Sequence, residues 1–71
     1  MVNSTELKVQ MVRKGKSAKQ LYTALGISSS AWFRKVKGED VFTQVEIKGL
    51  RRELELNDRL TGIIFFPDDV S

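Results

Sequence analysis

The stretch SAKQLYTALGISSSAWFRKVKG, residues 17–38, decides the fold of this 71-residue chain. Ser17, followed three residues later by Gln20, has the pattern of a helix start, and Gly26 that of a helix end. Ser28 can cap a second helix, which Gly38 would end. The stretch therefore predicts two helices joined by a three-residue turn, a helix-turn-helix.

The second of these helices, near residues 29–37, has two different faces. Trp32 and Val36 lie four residues apart, so they share one side and are predicted to face the core. The apolar residues that would hold the two helices together are Leu21, Leu25, Ile27, Trp32 and Val36. The opposite side then carries Ser29, Ser30, Phe33, Arg34 and Lys37.

Similar start signals flank this stretch. Asn3 with Glu6 predicts a first helix, Thr43 with Glu46 a fourth, and Asn57 a fifth. The segment IIFF, residues 63–66, is compatible with the end of that fifth helix or with a short strand, because Gly62 weakens a helix. We expect an all-α bundle of about five helices, a single domain over 1–71 with a loose tail over about 67–71.

Composition excludes several kinds of site. The chain has no cysteine and no histidine, which removes disulfides, zinc fingers, thiol nucleophiles and imidazole catalysis. Adjacent acids at Glu39-Asp40 and Asp68-Asp69 lack a partner base, so we expect no enzyme and no cofactor. Lys8 and Arg13 interrupt the apolar residues near the N-terminus, so we expect neither a signal peptide nor a membrane span, and a cytoplasmic location.

Charge is divided unevenly along the chain. Residues 1–38 carry eight cationic side chains and a single carboxylate, Glu6. Residues 39–71 carry four cations and eight carboxylates. The first half therefore predicts a basic face suited to phosphates or to an acidic protein surface, with an ordinary solvated lysine-rich face as the alternative.

The polar face of the second helix has the residues that a DNA major groove requires. Ser29 and Ser30 stand at the helix start, where hydroxyls and free N–H groups meet phosphates or base edges, and Arg34 can bind guanine or phosphate. Lys35 and Lys37, with Lys16 and Lys19, are predicted to contact phosphates. The predicted binding residues are Lys16, Ser17, Lys19, Ser29, Ser30, Phe33, Arg34 and Lys37.

Two segments of this region resemble the Cro/CI-type helix-turn-helix family, in particular the small Cro-like regulators of temperate phages. They are Leu25-Gly26-Ile27-Ser28 and the basic ending Arg34-Lys35-Val36-Lys37-Gly38. Phe42-Thr43, followed by Glu46-Ile47, also matches the family, and the resemblance covers about residues 4–66. It implies a lambda-repressor-like domain that binds operator DNA and favours lytic over lysogenic expression.

Three residues depart from the family pattern. Ala18 stands where the family often has a DNA-contacting glutamine. Tyr22 stands where the two helices approach and a small residue is usual, so its ring must tilt outward or separate them. Phe33 replaces a small or polar residue; it can pack on a thymine methyl, but an exposed aromatic beside arginine is also typical of protein interfaces. The alternative partner is therefore a CI-type repressor, which an antirepressor, or modulator of repression, would bind through the same face.

The C-terminal apolar segment bears on oligomeric state. Leu60 and Ile63–Phe66 are the candidate surface for a weak homodimer, which readers of two DNA half-sites require. Alternatively, Phe65 and Phe66 close the core.

Overall fold

Capping side chains begin all five α-helices of residues 2–69 at the residues that the sequence indicates. The computed structural model describes residues 2–69. Its helices are α1 Ser4–Lys14, α2 Ala18–Leu25, α3 Ser29–Lys37, α4 Gln44–Glu53 and α5 Asp58–Phe65, followed by a 3-10 turn at Pro67–Asp69. Residues 2–69 contain no strand, which confirms the all-α, five-helix prediction and assigns most of the IIFF segment to α5. Residues 70–71 of the predicted tail lie outside the described residues.

Two of the helix starts are reciprocal capping boxes. The Ser17 hydroxyl accepts from the backbone N–H of Gln20 (3.2 Å), and the Gln20 side chain accepts from that of Ser17 (2.7 Å). Thr43 and Glu46 exchange the same pair of bonds. Asn3 differs, because its own backbone N–H donates to the carbonyl of Ile64 (2.7 Å) and thereby joins α1 to α5.

Three of the five described α-helices end at a glycine, and α4 and α5 are the exceptions. Gly15, Gly26 and Gly38 end α1, α2 and α3 in the left-handed conformation that glycine adopts at little cost. At the end of α4 the left-handed residue is Glu55, with φ of 52°. Helix α4 itself ends at Glu53, and Arg51 in its last turn pairs with Asp58 in the first turn of α5.

An aromatic chain runs through the core and joins α3 to α5. The rings of Trp32 and Phe42 meet edge to face with centroids 5.6 Å apart, and those of Phe42 and Phe65 do the same at 5.5 Å. Such contacts add to the apolar area that each ring buries. The side chain of Trp32 is only 2% exposed, which confirms its predicted place in the core.

Helices α2 and α4 approach each other closely at Gly49. A Cβ atom on Gly49 would lie 2.6 Å from Cδ2 of Leu25, so any larger residue there forces Leu25 to move. Tyr22 is half-buried and packs against the edge of the core, with α2 and α3 still in contact. The sequence did not indicate the role of Gly49, because that role depends on a helix 24 residues away along the chain.

Lys35 is a structural residue, and its prediction as a phosphate contact is wrong. The residue is 7% exposed, and its ammonium donates to the carboxylate of Glu46 (2.9 Å) and to the carbonyl of Val41 (3.0 Å). Lys35 lies on the same side of α3 as Trp32, so its side chain is directed towards α4 rather than towards solvent. One ammonium thus joins α3 to the loop before α4 and to the first turn of α4.

The pKa of the Glu46 carboxyl lies below its ordinary value of 4.5. Burial opposes ionisation and by itself raises this pKa, but the backbone N–H of Thr43 and the Lys35 ammonium favour the charged form more strongly. The folded protein therefore binds this proton less tightly than the unfolded chain does. The resulting stabilisation is present above about pH 4.5 and is lost as the pH falls through the folded-state pKa.

In the described part of the chain, no helix has the length and apolar character that a membrane crossing requires.

Replacing Glu46 with glutamine tests the ion pair between Lys35 and Glu46. We expect Glu46→Gln to lower the free energy of unfolding near neutral pH by about 1–3 kcal/mol, because Lys35 loses its charged acceptor while an amide oxygen still accepts from Thr43. The difference from the wild type shrinks as the pH falls below 4.5. Urea unfolding followed by tryptophan fluorescence, near pH 7 and near pH 3, measures both effects.

Glu55→Gln is the matched control. Glu55 is exposed, and its carboxylate lies 3.9 Å from the ammonium of Lys14, so the same substitution there should change the free energy of unfolding by less than about 0.5 kcal/mol. A Glu46→Gln effect that did not depend on pH would contradict the assignment.

Candidate functional site: the outer face of α3

The residues of α3 divide into an inward and an outward half. At about 100° per residue, the exposed positions fall within one arc of roughly 140°. They are Ser29, Ser30, Phe33, Arg34 and Lys37, here called the α3 outer face. Ala31, Trp32, Lys35 and Val36 occupy the rest of the helix surface and are buried or half-buried. The structure therefore brings together all five of the α3 residues predicted to bind.

Phe33 and Trp32 are neighbours in sequence but lie on different sides of α3. Phe33 is 49% exposed, whereas Trp32 is in the core. A half-exposed phenylalanine in the middle of a polar helix face leaves apolar area in water that a partner could cover. Phe33 is therefore the residue of this face that folding explains least.

The cations of the predicted site fall into two groups. No described carboxylate lies within 4.0 Å of the charged groups of Lys19, Arg34 or Lys37, so these three remain available to an external anion. Lys16 is different, because its ammonium lies 3.5 Å from the carboxylate of Glu53 on α4. Lys16 thus already has a carboxylate partner, unlike Lys19, Arg34 and Lys37.

The serines of the predicted site lie at the starts of α2 and α3. Ser28 caps α3 by accepting from the backbone N–H of Ala31 (3.1 Å). The N–H groups of Ser29 and Ser30 belong to the first turn of the helix and therefore have no acceptor inside it. Ser17 is exposed and caps α2 in the same manner, through Gln20. Hydroxyls and free N–H groups at helix starts are suited to phosphate oxygens.

A groove of about 220 Å³ lies between α1, the start of α2 and α3. It is here called the α1–α3 groove. Phe33 and Lys37 of the α3 outer face border it, and Lys8 and Met11 border it from α1. The sequence did not indicate that side chains of α1 border the predicted site. The signal available was the concentration of cations in residues 1–38, which includes Lys8.

The C-terminal segment proposed for dimerisation is divided between core and surface. Ile64 and Phe65 are buried, so they cannot form a contact with a second copy. Of the two predictions for the phenylalanines, closure of the core is confirmed for Phe65 and wrong for Phe66, which is half-exposed because α5 ends before it. A homodimer surface here would consist of Phe66 with the half-buried Leu60 and Ile63.

Within residues 2–69, no three acidic, cysteine or histidine side chains are grouped closely enough to hold a metal ion.

Comparisons with protein-family models, with curated proteins and with solved structures found no match for this chain.

The contrast between Phe33 and Trp32 can be tested by stability alone. We expect Trp32→Ala to lower the free energy of unfolding by about 3–5 kcal/mol, since it removes a buried ring of the core that packs against Phe42. Phe33→Ala should cost no more than about 1 kcal/mol, because half of the ring is already in water. Urea unfolding followed by circular dichroism measures both; a large loss from Phe33→Ala would place Phe33 in the core.

Proposed function

We propose that this chain is a Cro-type transcriptional regulator of a phage genetic switch, which binds operator DNA with the α3 outer face in the major groove. The observation that carries the proposal is the exposure of Arg34 and Lys37, together with the absence of a described carboxylate partner for either. Both lie on an exposed helix face beside two serines, with no described carboxylate within 4.0 Å. The protein would act in the bacterial cytoplasm, as a binding protein and not as an enzyme.

Each residue of the face has a role in this proposal. Arg34 is long enough to bind the O6 and N7 atoms of guanine, and Phe33 can pack on a thymine methyl group. Ser29 and Ser30 offer hydroxyls and first-turn N–H groups to phosphates or base edges. Lys37, with Lys19 and Ser17 at the start of α2, would contact the DNA backbone and fix the position of the protein without reading sequence.

Oligomeric state limits how tightly such a protein can bind DNA. Helix-turn-helix proteins commonly read two half-sites as dimers, about one turn of DNA apart. Here Ile64 and Phe65 are in the core, so the residues left for a dimer at the C-terminus are few. The proposal therefore implies modest affinity for one half-site and a weak dimer at most.

A second candidate function has an observation of its own in its favour. Half-exposed Phe33 stands beside Arg34 and borders a groove, and aromatic and arginine side chains at a pocket are the common anchors of protein interfaces. The second candidate is an antirepressor, or modulator of repression. It would bind the cognate CI-type repressor through the α3 outer face and alter its binding to DNA.

A salt titration tests direct DNA binding. Lys19 and Lys37 are the cations proposed to contact the DNA backbone, and about two phosphate contacts predict a slope of roughly −2 in a plot of log affinity against log salt concentration. The probe is duplex DNA from the region around the gene for this chain, and fluorescence anisotropy measures the affinity. Arg34→Ala should weaken binding by about 1 kcal/mol or more and relax the preference for guanine, whereas Lys37→Ala should reduce the slope by about one.

Lys48→Ala is the control for this experiment. Lys48 is exposed on α4 and lies about 200° around that helix from Glu46, which contacts α3, so its removal should leave affinity and slope nearly unchanged. The second measurement is binding of this chain to the repressor encoded nearest to its gene. Absence of DNA binding at low salt, together with a repressor complex that Phe33→Ala and Arg34→Ala weaken, would replace the first function with the second.

A further inference from the structure

The solvent side of α1 carries apolar residues that neither the core nor the α3 outer face explains. Val12 is 80% exposed, and Val9 is also exposed. Together with Thr5, Lys8 and Arg13 they line a shallow, mostly apolar depression, here called the α1 outer face. Phosphate contacts require cations and hydrogen-bond donors, so exposed valines contribute little to DNA binding.

The α1 outer face continues into the α1–α3 groove. Lys8 borders both of them. Beyond Lys8, the groove is walled mainly by apolar side chains, including Met11, Val36 and the ring of Phe33. A single surface therefore extends from Val12 across Lys8 to Phe33, with an open apolar end on α1 and a deeper apolar end at α3.

Cations surround this surface, and carboxylates are nearly absent from it. Lys8 and Arg13 border the α1 outer face and Lys37 borders the groove. No described carboxylate lies within 4.0 Å of any of the three. Glu6 is the one acidic residue of positions 1–38, and it is half-buried. The charges therefore favour an acidic occupant.

We propose that the α1 outer face and the α1–α3 groove form a docking surface for an acidic amphipathic helix of a partner protein. The apolar side chains of that helix would cover Val9 and Val12 and enter the groove beside Phe33. Its carboxylates would pair with Lys8, Arg13 and Lys37. The mode is that of an amphipathic helix in an apolar groove, with charge selecting the partner.

This surface goes beyond the proposed function, which uses none of Lys8, Val9 or Val12. Anionic lipid also combines apolar and negative groups, but two exposed valines give a small area for insertion, whereas a groove of about 220 Å³ accepts a side chain. A protein helix fits these dimensions better than a lipid surface does. Vesicle binding is accordingly an outcome that would count against the proposal.

The single tryptophan of the chain reports on occupation of the groove, because Trp32 forms part of its wall. The probe is a synthetic helical peptide of about 14 residues with leucine on one face, glutamate elsewhere and no aromatic residue. A second peptide has lysine in place of glutamate, and a third has serine in place of leucine. We expect a saturable change in Trp32 fluorescence with the first peptide, and affinities at least about tenfold lower with the other two.

Matched variants locate the binding surface. Val12→Ser should weaken binding of the acidic peptide several-fold, while Val45→Ser, at a valine that is 79% exposed on α4, should not. Lys8→Glu should weaken binding of the acidic peptide and strengthen that of the basic peptide. Circular dichroism verifies that each variant is folded, as the exposure of all three residues leads us to expect.

Several results would overturn the proposal. They are no saturable change up to millimolar acidic peptide, equal affinity for acidic and basic peptides, equal losses from Val12→Ser and Val45→Ser, or tighter binding to anionic vesicles that Val12→Ser weakens. The DNA titration is independent of this test. If Val12→Ser weakens peptide binding and leaves the salt slope on DNA unchanged, the docking surface stands whether or not the chain binds DNA.

Discussion

The orientation of α3 depends on the ammonium of Lys35, which binds the carboxylate of Glu46 and the carbonyl of Val41. Through these two bonds, one side chain of α3 holds the following loop and the first turn of α4. Trp32, one turn earlier, fills the adjoining core against Phe42. Because the long side chains at 32 and 35 both lie inward, the opposite half of α3 is left to short hydroxyls, two cations and Phe33.

A buried ion pair of this kind contributes more to specifying an arrangement than to net stability. Removing two charges from water costs about as much as their attraction returns, so a well-packed apolar pair can be equally stable. An apolar pair would, however, accept several orientations of α3 relative to α4. The Glu46 carboxylate is already fixed by its bond to the backbone N–H of Thr43 (2.8 Å) and therefore gives Lys35 a single position to reach.

Local signals in the sequence are sufficient for the five helices of residues 2–69 and for all five residues of the α3 outer face. Capping residues and terminal glycines act within four residues, and the separation of Trp32 from Phe33 follows from helical periodicity. The errors concern contacts that depend on distant residues. The sequence predicts Lys35 as a phosphate contact because its carboxylate acceptor lies 11 residues later, on α4, where no local pattern reveals it. Gly49, and the contribution of α1 to the groove, likewise depend on helices that are far apart in the sequence.

The two surfaces described above share Phe33 and Lys37, and this overlap has a physical consequence. A helix seated in the α1–α3 groove would cover one edge of the α3 outer face and neutralise Lys37, one of the two cations on that face. A DNA duplex in contact with Lys37 would, conversely, bring phosphates to the edge of the groove and repel an acidic helix. Binding of nucleic acid and of an acidic protein would therefore compete. In a chain of 71 residues, one exposed aromatic shared by the two proposed surfaces would couple their binding.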